Sequence, residues 1–248
     1  MISAGILIIG NEILSGRTKD INSNFLCLRC SDIGIKVQEI RVIEDNIKII
    51  SKTVLVFSKK YNYVFVTGGI GPTHDDKTAE AVAKAFKRKI KINKKAKKLL
   101  EKHYENSEYE LNESRMKMAK IPLGARLIKN PVSAAPGFKI QNVWVMAGVP
   151  KIMQAMFLSD IENKLKKDKA YLSLEIIVFK PEGDIAEILQ ELQSTFKLLD
   201  VGSYPFYKPP NIGTNIILRG KDKVSLKKAS NFFCKVLKKN GVSFNINN

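Results

Sequence analysis

The sequence contains few cysteines and no long apolar run. Its three cysteines are Cys27, Cys30 and Cys234, and so small and odd a number predicts a reducing, cytoplasmic compartment rather than a disulfide-stapled fold. The longest apolar runs, such as residues 6–9, fall far short of the roughly 20 residues that a membrane helix requires. The first residues lack the basic start and the apolar length of a signal peptide. A cytoplasmic protein without a membrane association is therefore expected.

Cys27 and Cys30 form a C-x-x-C pair, which is the spacing of thiol redox sites and of one half of a zinc site. The pair falls in the middle to end of a predicted amphipathic helix rather than at its start. The sequence has no second C-x-x-C pair and no paired histidines. A packing role is therefore favoured over redox or zinc chemistry.

Acidic residues and arginine are scarce beside lysine. There are 24 acidic and 42 basic residues, which gives a net charge of +18, and 35 of the basic residues are lysines spread along the whole chain. Nucleic-acid binding is one interpretation of this charge. However, arginine makes the commonest specific base contact, and evenly spread lysine is typical of a solvated surface. We disfavour nucleic acid as a partner and expect the charge to attract anionic ligands such as nucleotides.

The first part of the chain alternates apolar strands with amphipathic helices. The predicted strands are residues 3–9, 35–43, 62–67 and 143–147, and the predicted helices are residues 22–33, 46–59, 75–88 and 151–166. This order predicts a three-layer α/β/α fold with a mainly parallel sheet. Residues 89–142, the inserted segment, interrupt the order with two predicted helices (93–104 and 112–120) and Pro- and Gly-rich turns. Insertions of this length often hang over a ligand site.

The pattern changes near residues 166–170. Strands are predicted at 171–179, 199–204, 212–219 and 241–246, with turn-rich residues 205–211 between the second and third. Asp184 and Glu187 carry the signature of a helix start, and residues 224–239 form a second helix. The order β-α-β-β-α-β predicts a small α+β domain of the split βαβ type. We therefore expect a first domain over residues 1–168 and a second over 169–248.

A glycine-rich turn follows the third predicted strand. Gly68, Gly69 and Gly71 let the backbone approach a ligand and direct amide groups at an anion, and the next helix start adds positive potential. The carboxyl ends of parallel strands face the ligand site of such sheets. The turn therefore predicts phosphate binding, although glycines alone are also compatible with a merely tight turn.

Two acids, Asp75 and Asp76, follow this turn at the expected start of a helix. The helix dipole stabilises carboxylates at a helix start, and this effect alone would explain the presence of one of the two acids. Two adjacent acids beside a phosphate site also suit Mg²⁺, Mn²⁺ or Co²⁺ bridging to phosphate oxygens, with Thr73 or Thr78 adding a hydroxyl. We expect Asp75 and Asp76 to hold this divalent metal, and we interpret His74 as a loop residue rather than a general base.

Two further polar clusters lie at predicted strand ends. Gly10, Asn11 and Glu12 follow the first strand, where Glu12 is either a solvated loop acid or a third catalytic carboxylate. Asp20 and Asn22 either cap the next helix or contact ligand. The third cluster runs over residues 130–138, with residues 147–150 after the fourth strand. Its small residues and prolines form either a close-approach surface or two plain connecting turns.

Four motifs in sequence order resemble the MoaB/Mog-type molybdopterin-binding domain: residues 10–16 (GNEILSG), 67–78 (TGGIGPTHDDKT), 130–137 (NPVSAAPG) and 148–150 (GVP). Residues 3–165 are covered, and they are most similar to the CinA N-terminal branch and to the related domain of FAD synthases. Ile21 and residues 133–134 depart from the family pattern, which has Thr and Gly-Thr there.

The resemblance implies a MoaB/Mog-like fold, a frequent homo-oligomer, and a nucleotide or pterin ligand such as molybdopterin. Relatives either adenylylate molybdopterin with ATP or cleave a nucleotide pyrophosphate such as ADP-ribose or FAD with a metal. We expect the second activity, with Asp75, Asp76 and Glu12 as catalytic residues; adenylylation or simple binding is the alternative. The expected ligand contacts are Gly10, Asn11, Asp20, Asn22, Thr67, Gly68, Gly69, Ile70, Gly71, Thr73, Thr78, Asn130, Pro136, Gly137 and Gly148.

Overall fold

A computed structural model describes residues 2–105, 107–209 and 211–247. The chain forms two units, Met1–Asp168 and Lys169–Asn248. None of the helices among the described residues has both the length and the apolar character of a membrane span.

The first unit begins with the predicted alternation of strands and helices. Its elements are β1 (Ser3–Ile9), α1 (Asn11–Leu14), α2 (Asn22–Asp32), β2 (Lys36–Ile43), α3 (Ile47–Lys60), β3 (Tyr63–Thr67) and α4 (Thr78–Ala85). The inserted segment follows, with β4 (Ile90–Ile92), α5 (Lys94–Glu105), α6 (Glu113–Met116), β5 (Lys120–Pro122), β6 (Arg126–Ile128) and β7 (Gly137–Ile140). The unit ends with β8 (Val143–Met146) and α7 (Pro150–Met156), which runs on through a π-helical turn and a 3₁₀ turn to Lys164.

These strands build a six-stranded sheet in the order β2-β1-β3-β8-β7-β6. The pairings β2-β1, β1-β3 and β3-β8 are parallel, and β8-β7 and β7-β6 are antiparallel. The predicted α/β fold with a mainly parallel sheet is therefore confirmed. The Pro- and Gly-rich turns predicted after residue 120 are wrong in part, since that stretch contains β6 and β7 of this sheet. The short strands β4 and β5 form a separate antiparallel pair.

The sheet separates two apolar layers. Along β1, Leu7 and Ile9 pack into one cluster with α3 and α4, while Ile6 and Ile8 pack into the other with α2 and α7. A strand covered on both faces has apolar residues at every position, which explains the unbroken apolar sequence of β1. Cys30 is buried in the second cluster, where burial raises the pKa of its thiol to about 12. This environment disfavours the thiolate that redox or zinc chemistry needs.

The second unit has a four-stranded antiparallel sheet covered by two helices. Its elements are β9 (Leu172–Val178), α8 (Ala186–Thr195), β10 (Asp200–Lys208), β11 (Asn211–Gly220), α9 (Lys223–Lys239) and β12 (Phe244–Asn247). The sheet order is β10-β11-β9-β12, and Ile176, Ile216 and Phe233 lie in its buried core. The predicted β-α-β-β-α-β order of a small α+β domain is therefore present.

Two local predictions in this unit are wrong. Residues 205–208 continue β10 instead of forming a turn, because each pairs with β11. Pro205 lies on an edge strand, which tolerates proline. Pro210 lies outside the described residues. Asp184 does not cap α8. It belongs to a 3₁₀ turn, Glu182–Ile185, whose Asp184 N–H donates to the Pro181 carbonyl, and α8 begins only at Ala186.

Candidate functional site

The carboxyl ends of β1, β2, β3 and β8 border a cleft of about 480 Å³. This volume lies in the range of about 300–1,000 Å³ that small-molecule sites occupy. The lining residues are Ile9, Gly10, Glu12, Asp45, Gly68, Gly69, Ile70, Gly71, Pro72, Asp75, Asp76, Tyr104, Met118, Asn130, Ser133, Ala135, Ala147, Gly148, Val149 and Ile152. Both the strand-end loops and the inserted segment therefore contribute to one site.

The glycine turn (residues 68–71) has a backbone conformation that residues with a Cβ atom could not adopt without strain or a clash. Gly68 has a φ of +102°, and a Cβ there would lie 2.1 Å from the Ile9 carbonyl oxygen. Gly69 has a φ of +66°, and its Cβ would lie 2.3 Å from Thr78 Oγ1. Gly68 N–H donates to the Met146 carbonyl (3.2 Å) at the end of β8, so this amide is already hydrogen-bonded within the protein. Any phosphate-binding amides of the turn must therefore come from residues 69–71.

Thr67 and Thr78 lie beneath this turn and are both buried. Thr78 Oγ1 donates to the Gly68 carbonyl (2.9 Å), and Thr78 N–H donates to the Gly69 carbonyl (2.9 Å). These two bonds hold the turn against the start of α4. Neither threonine lines the cleft, so the structure places both as supports of the turn.

The acidic turn (residues 72–76) corrects the prediction that Asp75 and Asp76 lie in the first turn of a helix. Helix α4 begins at Thr78, because the Asp76 carboxylate closes the preceding loop by accepting Thr73 N–H (2.8 Å) and Thr73 Oγ1 (2.5 Å). Lys117 Nζ also donates to the Thr73 carbonyl. Thr73 itself lies outside the cleft, beside the exposed His74 in a shallow groove.

Asp75 is exposed at the cleft. The nearby Thr73 hydroxyl and the Asp75 backbone lower the pKa of its carboxyl, and the charges of His74 and Lys117 act in the same direction. The Asp75 carboxyl is therefore ionised at neutral pH.

Asp45 is a cleft residue that the sequence interpretation missed. It follows β2, and its Oδ2 accepts Asn11 N–H (2.9 Å). Burial raises the pKa of its carboxyl, and so do the nearby charges of Glu12, Asp75 and Asp76. The same strand-end rule that selected Glu12 would have found Asp45, since β2 is parallel to β1 and ends beside it. The cleft thus gathers four carboxylates.

Asp20 and Asn22 lie outside the cleft and organise its edge. Asp20 accepts the N–H groups of Asn22 (2.9 Å) and Ser23 (3.1 Å). The buried Asn22 side chain donates to the Gly148 carbonyl (2.7 Å) and to Thr67 Oγ1 (3.5 Å). Asn22 therefore connects the start of α2 to the ends of β3 and β8.

The third cluster forms a closed loop at the cleft. Asn130 Oδ1 accepts Ser133 N–H (3.1 Å), and its Nδ2 donates to the Ala135 carbonyl (2.8 Å). Pro136 borders a neighbouring cavity of about 130 Å³ instead of the main cleft. Gly137 is buried in β7, where a Cβ would lie 2.3 Å from the Val145 carbonyl oxygen. Its role is close packing between β7 and β8.

The cleft brings together ten of the predicted site residues: Gly10, Glu12, Gly68, Gly69, Ile70, Gly71, Asp75, Asp76, Asn130 and Gly148. The other eight do not line it: Asn11, Asp20, Asn22, Thr67, Thr73, Thr78, Pro136 and Gly137. Among the described residues, no three His, Cys, Asp or Glu side chains form a group that could hold a metal ion by themselves. A cation in the cleft would therefore need ligands from its substrate or from water.

Comparison with known proteins gives the family. Residues 5–167 match the model of the probable molybdopterin binding domain. The chain belongs to this family. Residues 170–245 match a second model, described as the middle domain of FAD synthase.

Individual relatives match this chain to different extents. A protein of Archaeoglobus fulgidus is 35% identical over 235 residues, which is 94% of this chain and 96% of the relative. A probable FAD synthase of Caenorhabditis elegans is 34% identical over 230 residues, which is 83% of this chain and 44% of the worm protein. The crystal structure of protein CinA from Thermoplasma acidophilum is 35% identical with a TM-score of 0.59, and it covers 63% of this chain and 94% of that one. The predicted resemblance and the MoaB/Mog-like fold are thereby confirmed.

Proposed function

We propose that this protein hydrolyses a nucleotide pyrophosphate, such as ADP-ribose or FAD, with the help of a divalent cation. The observation that carries the proposal is the presence of four carboxylates and a glycine turn in one cleft of ligand size. The glycine turn offers backbone amides, which suit a diphosphate. The carboxylates offer hard oxygen ligands, which suit Mg²⁺, Mn²⁺ or Co²⁺.

Electrostatics favours a bridging cation over a metal-free site. Like charges 4 Å apart repel by about 4 kcal/mol at an effective dielectric constant of about 20. A diphosphate beside Glu12, Asp45, Asp75 and Asp76 would meet several such repulsions. A divalent cation between the two sets of oxygens reverses the sign of the interaction. Mg²⁺ is commonly held by one or two carboxylates, substrate phosphates and water, which agrees with a cleft that lacks a complete protein ligand set.

Within this proposal, Asp75 and Asp76 would hold the cation, and Glu12 and Asp45 add negative charge after the neighbouring ends of β1 and β2. Residues 69–71 bind and orient the diphosphate through their amides. A cation held by Asp75 and Asp76 would polarise the phosphorus–oxygen bond and lower the pKa of bound water. The chain's own contribution is to bring these groups together on the loops that follow the carboxyl ends of β1, β2 and β3.

The test is an activity panel with ADP-ribose, FAD and other nucleoside diphosphate compounds, each with Mg²⁺, Mn²⁺ and Co²⁺. We expect release of a nucleoside monophosphate, detected by chromatography, that stops on chelation and returns when metal is added back. A protein that binds these compounds with metal but releases no monophosphate from any of them contradicts the proposal.

Family membership favours one second candidate, binding or adenylylation of molybdopterin. A pterin phosphate also combines an anionic group with a flat ring, so the same cleft could accept it. Adenylylation consumes ATP and releases pyrophosphate, whereas hydrolysis needs no ATP. Incubation with ATP and a pterin phosphate therefore separates the two functions by their products.

A homo-oligomer is part of the proposal. Leu14, Ile21 and Leu28 are large apolar side chains in the first unit that remain exposed in the single chain. Apolar surface of this kind is often covered by subunit contacts. Size-exclusion chromatography with light scattering tests the assembly, and a monomeric mass at all concentrations contradicts it.

A further inference from the structure

The inserted segment contributes an aromatic ring to the cleft. Tyr104, near the end of α5, lines the cleft together with Met118 from the 3₁₀ turn after α6. Among the described lining residues, Tyr104 is the only aromatic one. The two side chains add a flat and a polarisable apolar surface to a site whose strand ends carry carboxylates. The cleft therefore has surfaces of two different chemistries.

The Tyr104 ring is held in place from outside the cleft. The Arg115 guanidinium lies 5.1 Å from the Tyr104 ring centroid and 5.2 Å from that of Tyr109. Arg115 does not line the cleft, so the ring is contacted by a cation that does not itself border the ligand site. Arg115 is itself fixed by two hydrogen bonds. Its guanidinium donates to the Glu110 carbonyl, and its backbone N–H donates to Asn112 Oδ1 (3.0 Å).

Such an arrangement suits stacking. A ring already supported on one side loses little conformational freedom when a ligand covers its other side. Stacking of a heterocyclic base on an aromatic side chain is sequence-tolerant because every base has a π-face. The thioether of Met118 is adaptable and makes favourable contacts with ring edges. A planar ligand of several types would therefore fit these two residues.

We infer that Tyr104 is the stacking platform for the planar heterocycle of the ligand, whether a purine, a flavin or a pterin. The inference rests on the proposed function for the diphosphate end of the ligand only. The amides of residues 69–71 and a cation held by Asp75 and Asp76 would bind that end, and Tyr104 selects for compounds that also carry a flat ring. Tyr104 is thus a specificity-determining residue that touches no reacting bond.

The test compares Tyr104→Leu and Tyr104→Phe with the control Tyr109→Leu, which removes the other ring on Arg115 but lies outside the cleft. The probes are adenosine, riboflavin and neopterin, which carry a ring without phosphate, and pyrophosphate with Mg²⁺, which carries phosphate without a ring. We expect Tyr104→Leu to weaken the best-bound ring probe about tenfold or more by calorimetry, and pyrophosphate by less than about twofold. Tyr104→Phe and Tyr109→Leu should bind all probes as the wild type does.

Several results would overturn the inference. An unchanged affinity of Tyr104→Leu for the ring probes excludes stacking, and an equal loss for pyrophosphate shows a general disturbance of the cleft. A wild-type protein that binds none of the three ring probes also excludes it. If the protein shows no hydrolytic activity but Tyr104→Leu weakens binding of the ring probes, the stacking role is supported and only the proposed hydrolysis is refuted. Unaltered fluorescence of Trp144, the single tryptophan, verifies that each variant is folded.

Discussion

Gly69→Ala and Gly16→Ala form a matched pair that measures how tightly the glycine turn is built. Gly69 has a φ of +66° and Gly16 a φ of +73°, so alanine meets nearly the same backbone strain at both positions. A Cβ at Gly16 would have no atom within 4 Å, whereas one at Gly69 would lie 2.3 Å from Thr78 Oγ1. The difference between the two variants therefore isolates the contact with Thr78.

The magnitudes follow from these contacts. Alanine in the left-handed region costs about 1–2 kcal/mol, which is the expected loss for Gly16→Ala. Gly69→Ala must in addition displace the Thr78 hydroxyl, whose hydrogen bond to the Gly68 carbonyl is 2.9 Å long. Leaving a buried acceptor without its donor costs about 1–3 kcal/mol. Gly69→Ala should thus lose about 2–5 kcal/mol in total, within the usual stability of about 5–15 kcal/mol.

Urea unfolding followed by tryptophan fluorescence is the assay. Trp144 is the single tryptophan and is buried in the first unit, so its fluorescence reports the unit that carries the turn. Pyrophosphate affinity with Mg²⁺ is measured in parallel and should fall for Gly69→Ala only. Equal free energies of unfolding for the two variants would refute the reasoning, since they would show that Thr78 moves aside without cost.

Three further predictions concern charged groups. Asp76→Asn is expected to abolish metal-dependent turnover and to leave urea unfolding unchanged, since the amide oxygen can still accept Thr73 N–H (2.8 Å). Glu80→Gln on the neighbouring helix is the control. Wild-type turnover of Asp76→Asn at saturating metal contradicts the assignment. Asp45→Asn should strengthen pyrophosphate binding in the presence of a chelator and weaken it in the presence of Mg²⁺, because it removes one carboxylate from the cleft. If calorimetry shows that the affinity for pyrophosphate changes in the same direction under both conditions, a bridging cation is contradicted. Tyr61, Lys60 and Arg41 lower the pKa of Glu39 to about 2 from 4.5, so its contribution to stability is complete above pH 4.5 and is lost as the pH falls towards 2. The urea stability of the wild type should therefore fall more steeply than that of Glu39→Gln across this range, and parallel curves would disprove the role.

The parallel part of the sheet could be predicted because its strands carry a strong signal. Residues 3–9 are almost wholly apolar, and β1 occupies the same range with both faces buried. The strands β4 to β7 are only three or four residues long. The pairing of β4 with β5 also depends on partners distant in sequence, such as Ile90 opposite Pro122. Such short segments carry no periodicity that a sequence reading can detect.

The site was predictable in its location but less so in its details. The strand-end rule placed Glu12, Gly69 and Asp75 at one cleft, as the structure does. It could not show that Thr78 and Asn22 are buried supports, because capping, ligand binding and loop bracing use the same polar residue types. Asp76 was assigned to a helix start because its bond to Thr73 depends on loop geometry and leaves no sequence pattern.

The 3₁₀ turn Lys117–Ala119 joins two sides of the cleft mechanically. Lys117 donates to the Thr73 carbonyl of the acidic turn, and the next residue, Met118, lines the cleft, as Tyr104 does. Any opening that lifts this turn away from the sheet must therefore break the Lys117 bond or carry residues 72–76 with it. Under the proposed function, ligand exit and the position of the acids are in this way linked through one ammonium group. A change at Lys117 is then expected to alter the rate of ligand release as well as the affinity for the cation.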